Sequence, residues 1–74
     1  MECFVVKSTE VSEMEDGRLC LRVKTKEGEN LTIILERIRM NAFLMGLTPC
    51  DMIGTEISCR NGMVSFDGLL WVTI

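Results

Sequence analysis

Three dipeptides constrain this chain more than any other feature. Asp16-Gly17, Asn61-Gly62 and Asp67-Gly68 each sit between runs of residues that prefer strands. Asn-Gly and Asp-Gly are the strongest short-range hairpin signals. A type I′ turn places both central residues at positive φ, which Asn, Asp and Gly tolerate best. The expected product is a small, mostly β domain with tight reversals near both ends.

The segments between the turns carry strand patterns. Residues 2–12 read as a first strand around Phe4, Val5 and Val6, and the acidic stretch from Glu10 to Asp16 leads into the first turn. Residues 18–26 alternate, with Leu19, Leu21, Val23 and Thr25 on one face and Arg18, Cys20, Arg22, Lys24 and Lys26 on the other. Alternation with period two marks a half-buried strand. Glu27-Gly28-Glu29-Asn30 forms the next turn, and Leu31 to Leu35 a third strand paired with the second.

The middle changes character. Residues 37–45 are mostly good helix formers, and Gly46 suits the left-handed position after a helix end. Thr48 then reads as an N-cap, with Pro49 at the first helical position and Asp51 at the third. That makes 49–53 a single helical turn ending at Gly54. Residues 55–60, 63–66 and 69–74 form a meander around the last two turns. This order suits a mainly β fold, a small OB- or SH3-like barrel of five to six strands with one short helical connection. The whole chain, residues 1–74, reads as one domain without repeats or linkers.

A chain of 74 residues buries only about 60% of its unfolded surface, so its own core gives thin stability. Its charges are unevenly placed. Beyond Arg39 only Asp51, Glu56, Arg60 and Asp67 are charged. A stretch so poor in charge is expected to be covered in part by another copy or another protein. The net charge of −3 opposes non-specific binding to nucleic acid, which is driven by excess Lys and Arg. No apolar run reaches the roughly 18 residues of a membrane span, and no basic region precedes the first apolar run. A cytoplasmic location with reduced thiols is the expectation.

The residues for common catalysis are missing. The sequence has no His and no Tyr, which removes the usual general base and the commonest metal ligand. Its six glycines are scattered singly, so no phosphate-binding loop is formed. Cys3, Cys20, Cys50 and Cys59 lack the close pairing of zinc ligands. Neither metal nor cofactor is therefore expected, and the chain should bind rather than catalyse. Cys50 falls at the second position of the short helical turn, a setting that stabilises a thiolate, but Asp51 beside it opposes this.

Two candidate binding surfaces follow. Leu69-Leu70-Trp71-Val72-Thr73-Ile74 is apolar on both strand faces, so one face should pack on the core and the other be covered. Met45, Trp71 and Val72 are the candidate contacts for a homo-oligomer, and the six Met residues supply adaptable apolar surface. The charged N-terminal half would then meet a protein partner. The alternative is an OB-like single-strand nucleic-acid binder using the basic face of the second strand, Arg18, Arg22, Lys24 and Lys26. Against it, no aromatic residue interleaves with that stripe to stack on bases.

Overall fold

The structure is a computed structural model covering residues 1–74. Six strands are formed: β1 (Glu2–Glu13), β2 (Leu19–Thr25), β3 (Asn30–Leu35), β4 (Glu56–Arg60), β5 (Met63–Ser65) and β6 (Val72–Thr73). One helix, α1 (Arg37–Phe43), and a 3-10 turn at Pro49–Met52 connect β3 to β4. The strands make one sheet in the order β3-β2-β1-β4-β5-β6, antiparallel throughout. No helix is long and apolar enough to cross a membrane.

β1 organises the molecule because its two halves serve different neighbours. Glu2 to Val5 pair with β4, whereas Val6 to Glu13 pair with β2. Between them the register slips by one residue at Lys7, a β-bulge. A bulge bends its strand and reverses which alternate residues face inward. Val6, fully buried, therefore shares the inner face with Thr9 and Val11, although the sequence spacing is three and then two.

The inner faces of the two half-sheets enclose the core. β2 contributes Leu21 and Val23, β3 contributes Leu31, Ile33 and Leu35, and β4 to β6 contribute Ile57, Val64 and Val72. The alternation expected for the second strand is present, but β2 spans Leu19–Thr25 and leaves Arg18 and Lys26 in the turns. The open side of the core is closed by α1, whose Met40, Phe43 and Leu44 are buried at spacings of three and one. That is one face of a helix, and Ile38, 85% exposed, lies on the other.

The helix is shorter than the expected 37–45. Met45 takes φ 56° and Gly46 φ 74°, and the Gly46 N–H donates to the Asn41 carbonyl at 2.9 Å. Two left-handed residues in succession end the helix at Phe43. The short turn after it matches expectation more closely. Thr48 precedes Pro49, and the Asp51 carboxylate accepts the Thr48 backbone N–H at 3.0 Å and its hydroxyl at 2.8 Å. Those two donors hold the Asp51 carboxyl below its ordinary pKa.

Of the three turn dipeptides, only Asn61-Gly62 has positive φ at both residues, 50° and 76°, as type I′ requires. In the β1–β2 connection, Gly17 N–H donates to the Met14 carbonyl while Met14 N–H donates to the Arg18 carbonyl. The same pair of bonds, between Gly28 and Thr25 and between Thr25 and Glu29, closes β2–β3. These are three-residue hairpin loops in which only the glycine, at φ 90°, is left-handed. Asp67-Gly68 makes no tight hairpin; it belongs to a longer loop between β5 and β6.

The sheet is not closed into a barrel. β3 and β6 lie at opposite ends of the strand order, and no ladder joins them. With only two residues, β6 offers little to pair with.

One buried polar atom lacks a partner. The Thr9 hydroxyl, on the inner face of β1, has no hydrogen bond. A buried, unpaired hydroxyl costs on the order of 1–3 kcal/mol. The isosteric change Thr9→Val should therefore stabilise the domain by about 1 kcal/mol, raising Tm by roughly 4–8 °C in calorimetry. A lower Tm would mean that the hydroxyl is satisfied.

Candidate binding surfaces

The best-organised surface lies around the loop from Ser65 to Trp71, where one carboxylate gathers the backbone. Asp67 Oδ1 accepts the N–H of Leu69 at 2.8 Å and of Leu70 at 3.0 Å, and the Ser65 hydroxyl at 3.1 Å. Ser65 Oγ in turn accepts the Gly68 N–H at 2.8 Å. The N–H groups of Leu70 and Leu69, with the Ser65 hydroxyl adding to them, hold the Asp67 carboxyl below its ordinary pKa. A carboxylate with a depressed pKa stabilises the fold when ionised. Its contribution is present above the unfolded value near 3.8 and lost as pH falls through the lower folded value.

The fixed loop displays two large side chains. Leu69 is 85% exposed. Trp71 is half-buried, donates its Nε1–H to the Gly68 carbonyl at 3.2 Å, and carries the Arg60 guanidinium 4.2 Å from its ring centroid. An Arg over an indole face is worth about 0.5–1 kcal/mol at an exposed site and holds the guanidinium in place. Inside the loop, Phe66 packs on Phe43 with ring centroids 5.0 Å apart, so the displayed residues are tied to the core through α1.

The sequence points to Trp71 but not to Arg60, Ser65 or Asp67. Ser65-Phe66-Asp67-Gly68 does carry a signal. Ser and Asp side chains that bond the backbone two or three residues on are a recognised turn chemistry, distinct from the hairpin reading of Asp-Gly. The other interface candidates separate. Met45 is 45% exposed in the connection after α1, whereas Val72 is 2% exposed and faces the core opposite Val64. In the single chain Val72 thus presents no surface. The methionines divide likewise: Met40 and Met52 are core residues.

The basic stripe is partly neutralised. Arg18 Nε lies 2.7 Å from Asp16 Oδ2, and Arg22 Nη1 lies 3.5 Å from Glu10 Oε1, its partner in register. Such exposed pairs contribute little stability. On the outer face of β2 only Arg22 and Lys24 remain, bordering a groove of about 210 Å³ with Ser8, Thr9 and Glu10. None of these residues is aromatic, and the only Trp lies on the other half of the sheet.

The cysteines sit on separate elements. Cys3 and Cys50 are exposed, Cys59 is half-buried and Cys20 is buried. Cys3 Sγ contacts Ser58 Oγ at 3.6 Å. Burial pushes the Cys59 thiol pKa up, with Glu2 and Glu29 adding to the shift. No group of three or more potential ligands is gathered around a point that could hold a metal ion. A second groove, of about 280 Å³, is apolar, lined chiefly by Val11, Leu19, Met40, Leu44, Leu47 and Pro49. Arg37, which also borders it, is held by Glu13 at 2.8 Å.

No protein-family model, characterised protein or solved structure matches this chain.

Proposed function

We propose that this chain is a small non-catalytic binding or adaptor module that self-associates and binds a protein partner. The observation that carries the reading is the loop locked by Asp67, with Leu69 in solvent beside the stacked Arg60–Trp71 pair. Trp and Arg are the residues most enriched at the energetic centres of protein interfaces, and a loop already ordered loses little entropy on docking. The net charge of −3 suits a protein surface better than a polyanion. The barrel-like reading of the fold rests on β1, whose bend lets one strand serve two half-sheets, as in small barrels.

The test has two parts. Light scattering after size exclusion, at about 0.1 M and about 1 M salt, measures self-association across weak and strong charge screening. A dimer or larger at both supports the reading, and a monomer at both removes its first half. For the second half, affinity capture compares the wild-type chain with Leu69→Ser and Trp71→Ala, after nuclease treatment. A protein retained by the wild type and lost with both folded variants supports partner binding through this loop. Material lost on nuclease treatment instead would favour a nucleic acid.

A further inference from the structure

β3 presents six residues of unpaired sheet edge, Asn30–Leu35, without a charged side chain. In the β2–β3 hairpin, Thr25 N–H donates to the Glu29 carbonyl, and the register then runs Val23↔Leu31, Leu21↔Ile33 and Leu19↔Leu35. Antiparallel ladders alternate hydrogen-bonded and non-bonded pairs. Leu31, Ile33 and Leu35 therefore turn their backbone groups toward β2, and Asn30, Thr32 and Ile34 turn theirs outward, where no strand lies.

Natural edges are guarded by Lys, Pro, bulges or shortness. β3 has none of these. Its sequence is Asn-Leu-Thr-Ile-Ile-Leu, and its register with β2 is unbroken. The other free edges are guarded. β6 runs only two residues. In the second half of β1, Gly54 and Thr55 bond Val6, and the free edge beyond it, from Ser8 to Glu13, carries the charges of Glu10 and Glu13. At the far end of that half, Arg37 holds Glu13.

We propose that β3 is the self-association surface, pairing antiparallel with β3 of a second copy about a two-fold axis at Thr32. This rests on the self-association reading above and places the contact away from the Trp71 loop. The outward set Asn30, Thr32 and Ile34 is symmetric about Thr32. A two-fold axis there pairs Thr32 with its mate and Asn30 with Ile34, so every outward backbone group of both copies is bonded.

The ends of the strand are complementary in charge. Lys26, Glu27 and Glu29 at its start sum to −1, and Glu36, Arg37 and Arg39 after its end sum to +1, Arg37 being already held by Glu13 and Arg39 in no ion pair. Antiparallel pairing sets each start against the other copy's end. Ile34, 39% exposed, then stands opposite Asn30 of the second copy with Thr32 as its diagonal neighbour. The contact is isologous and consumes both β3 edges, so the assembly closes as a dimer instead of growing into a filament.

The experiment is a charge swap at the axis. Thr32 is exposed, so Thr32→Lys and Thr32→Glu leave the inner face of β3 intact. Like charges directly opposite each other are destabilising. Each variant alone should be monomeric by light scattering at concentrations where the wild type is a dimer, with the dimer Kd raised at least about tenfold. An equimolar mixture should recover the dimer. A dimer that persists in Thr32→Lys overturns this contact and leaves self-association to another surface. A mixture that stays monomeric overturns the two-fold pairing at Thr32. A wild type that is monomeric up to millimolar concentration overturns both this inference and the self-association reading.

Discussion

Phe43→Ala is expected to cost about 3–5 kcal/mol, more than most single changes in this chain. The ring is 1% exposed within the core cluster, and it packs on Phe66. A domain of 74 residues has total stability of roughly 4–11 kcal/mol, so this one loss is a large fraction of it. With a urea slope of about 1–1.5 kcal/mol/M, the midpoint should fall by at least about 2 M. Ile38→Ala, on the solvent face of the same helix, should change stability by no more than about 0.5 kcal/mol. A midpoint for Phe43→Ala within about 0.5 M of wild type would mean that α1 is not seated on the core. Because Phe66 begins the loop that displays Trp71, the substitution should also loosen that loop, visible as reduced amide protection at Leu69 and Leu70.

The strands are legible in the sequence because their signals are local. Alternation over 19–25 and the turn at Asn61-Gly62 both act within a few residues, and both appear in the structure. The bulge at Lys7 cannot be read from Phe4-Val5-Val6, because a β-branched run hides its parity. Only pairing with two different neighbours shows that Val6 and Thr9 share a face. Asp-Gly alone does not specify type I′. A glycine at positive φ also ends a three-residue loop, and the number of residues between the paired strands decides which turn forms.

The surfaces are legible only in part, for a related reason. Residue type singles out Trp71, but its neighbour Arg60 is eleven positions earlier and meets it only across β5 and β6. Val72, an interface candidate by sequence, lies inward, since strand parity alone does not say which face is the core. The basic stripe is a property of β2 in isolation. Its partners Glu10 and Asp16 come from β1 and the turn, and they remove much of the free positive charge. The low charge beyond Arg39 is met in part by burial of Met40, Phe43, Leu44 and Met52, a helical core that a strand-centred reading leaves to a partner.

Met52→Ala should be nearly as damaging as loss of the Phe43 ring, at about 2–5 kcal/mol. Met52 is 1% exposed, although Ile53 next to it is 49% exposed and Leu47 is 48% exposed. One side chain therefore seats a connection that is otherwise on the surface. Its own carbonyl continues the anchor by accepting the Thr55 N–H at 3.0 Å and the Thr55 hydroxyl at 2.6 Å. Thr55 and Gly54 then bond β1: the Gly54 N–H donates to the Val6 carbonyl at 2.8 Å, and the Val6 N–H donates to the Thr55 carbonyl at 2.9 Å. Removing the side chain should lower the urea midpoint and selectively speed amide exchange at Gly54 and Val6. Exchange at Leu21 and Ile33, in the β2–β3 hairpin, should rise only as far as global stability falls. Met45→Ala, 45% exposed in the same connection, serves as the contrast and should leave the midpoint nearly unchanged. If Gly54 kept its relative protection in Met52→Ala, the backbone bonds alone would hold the connection, and the buried methionine would be filling space without positioning β4.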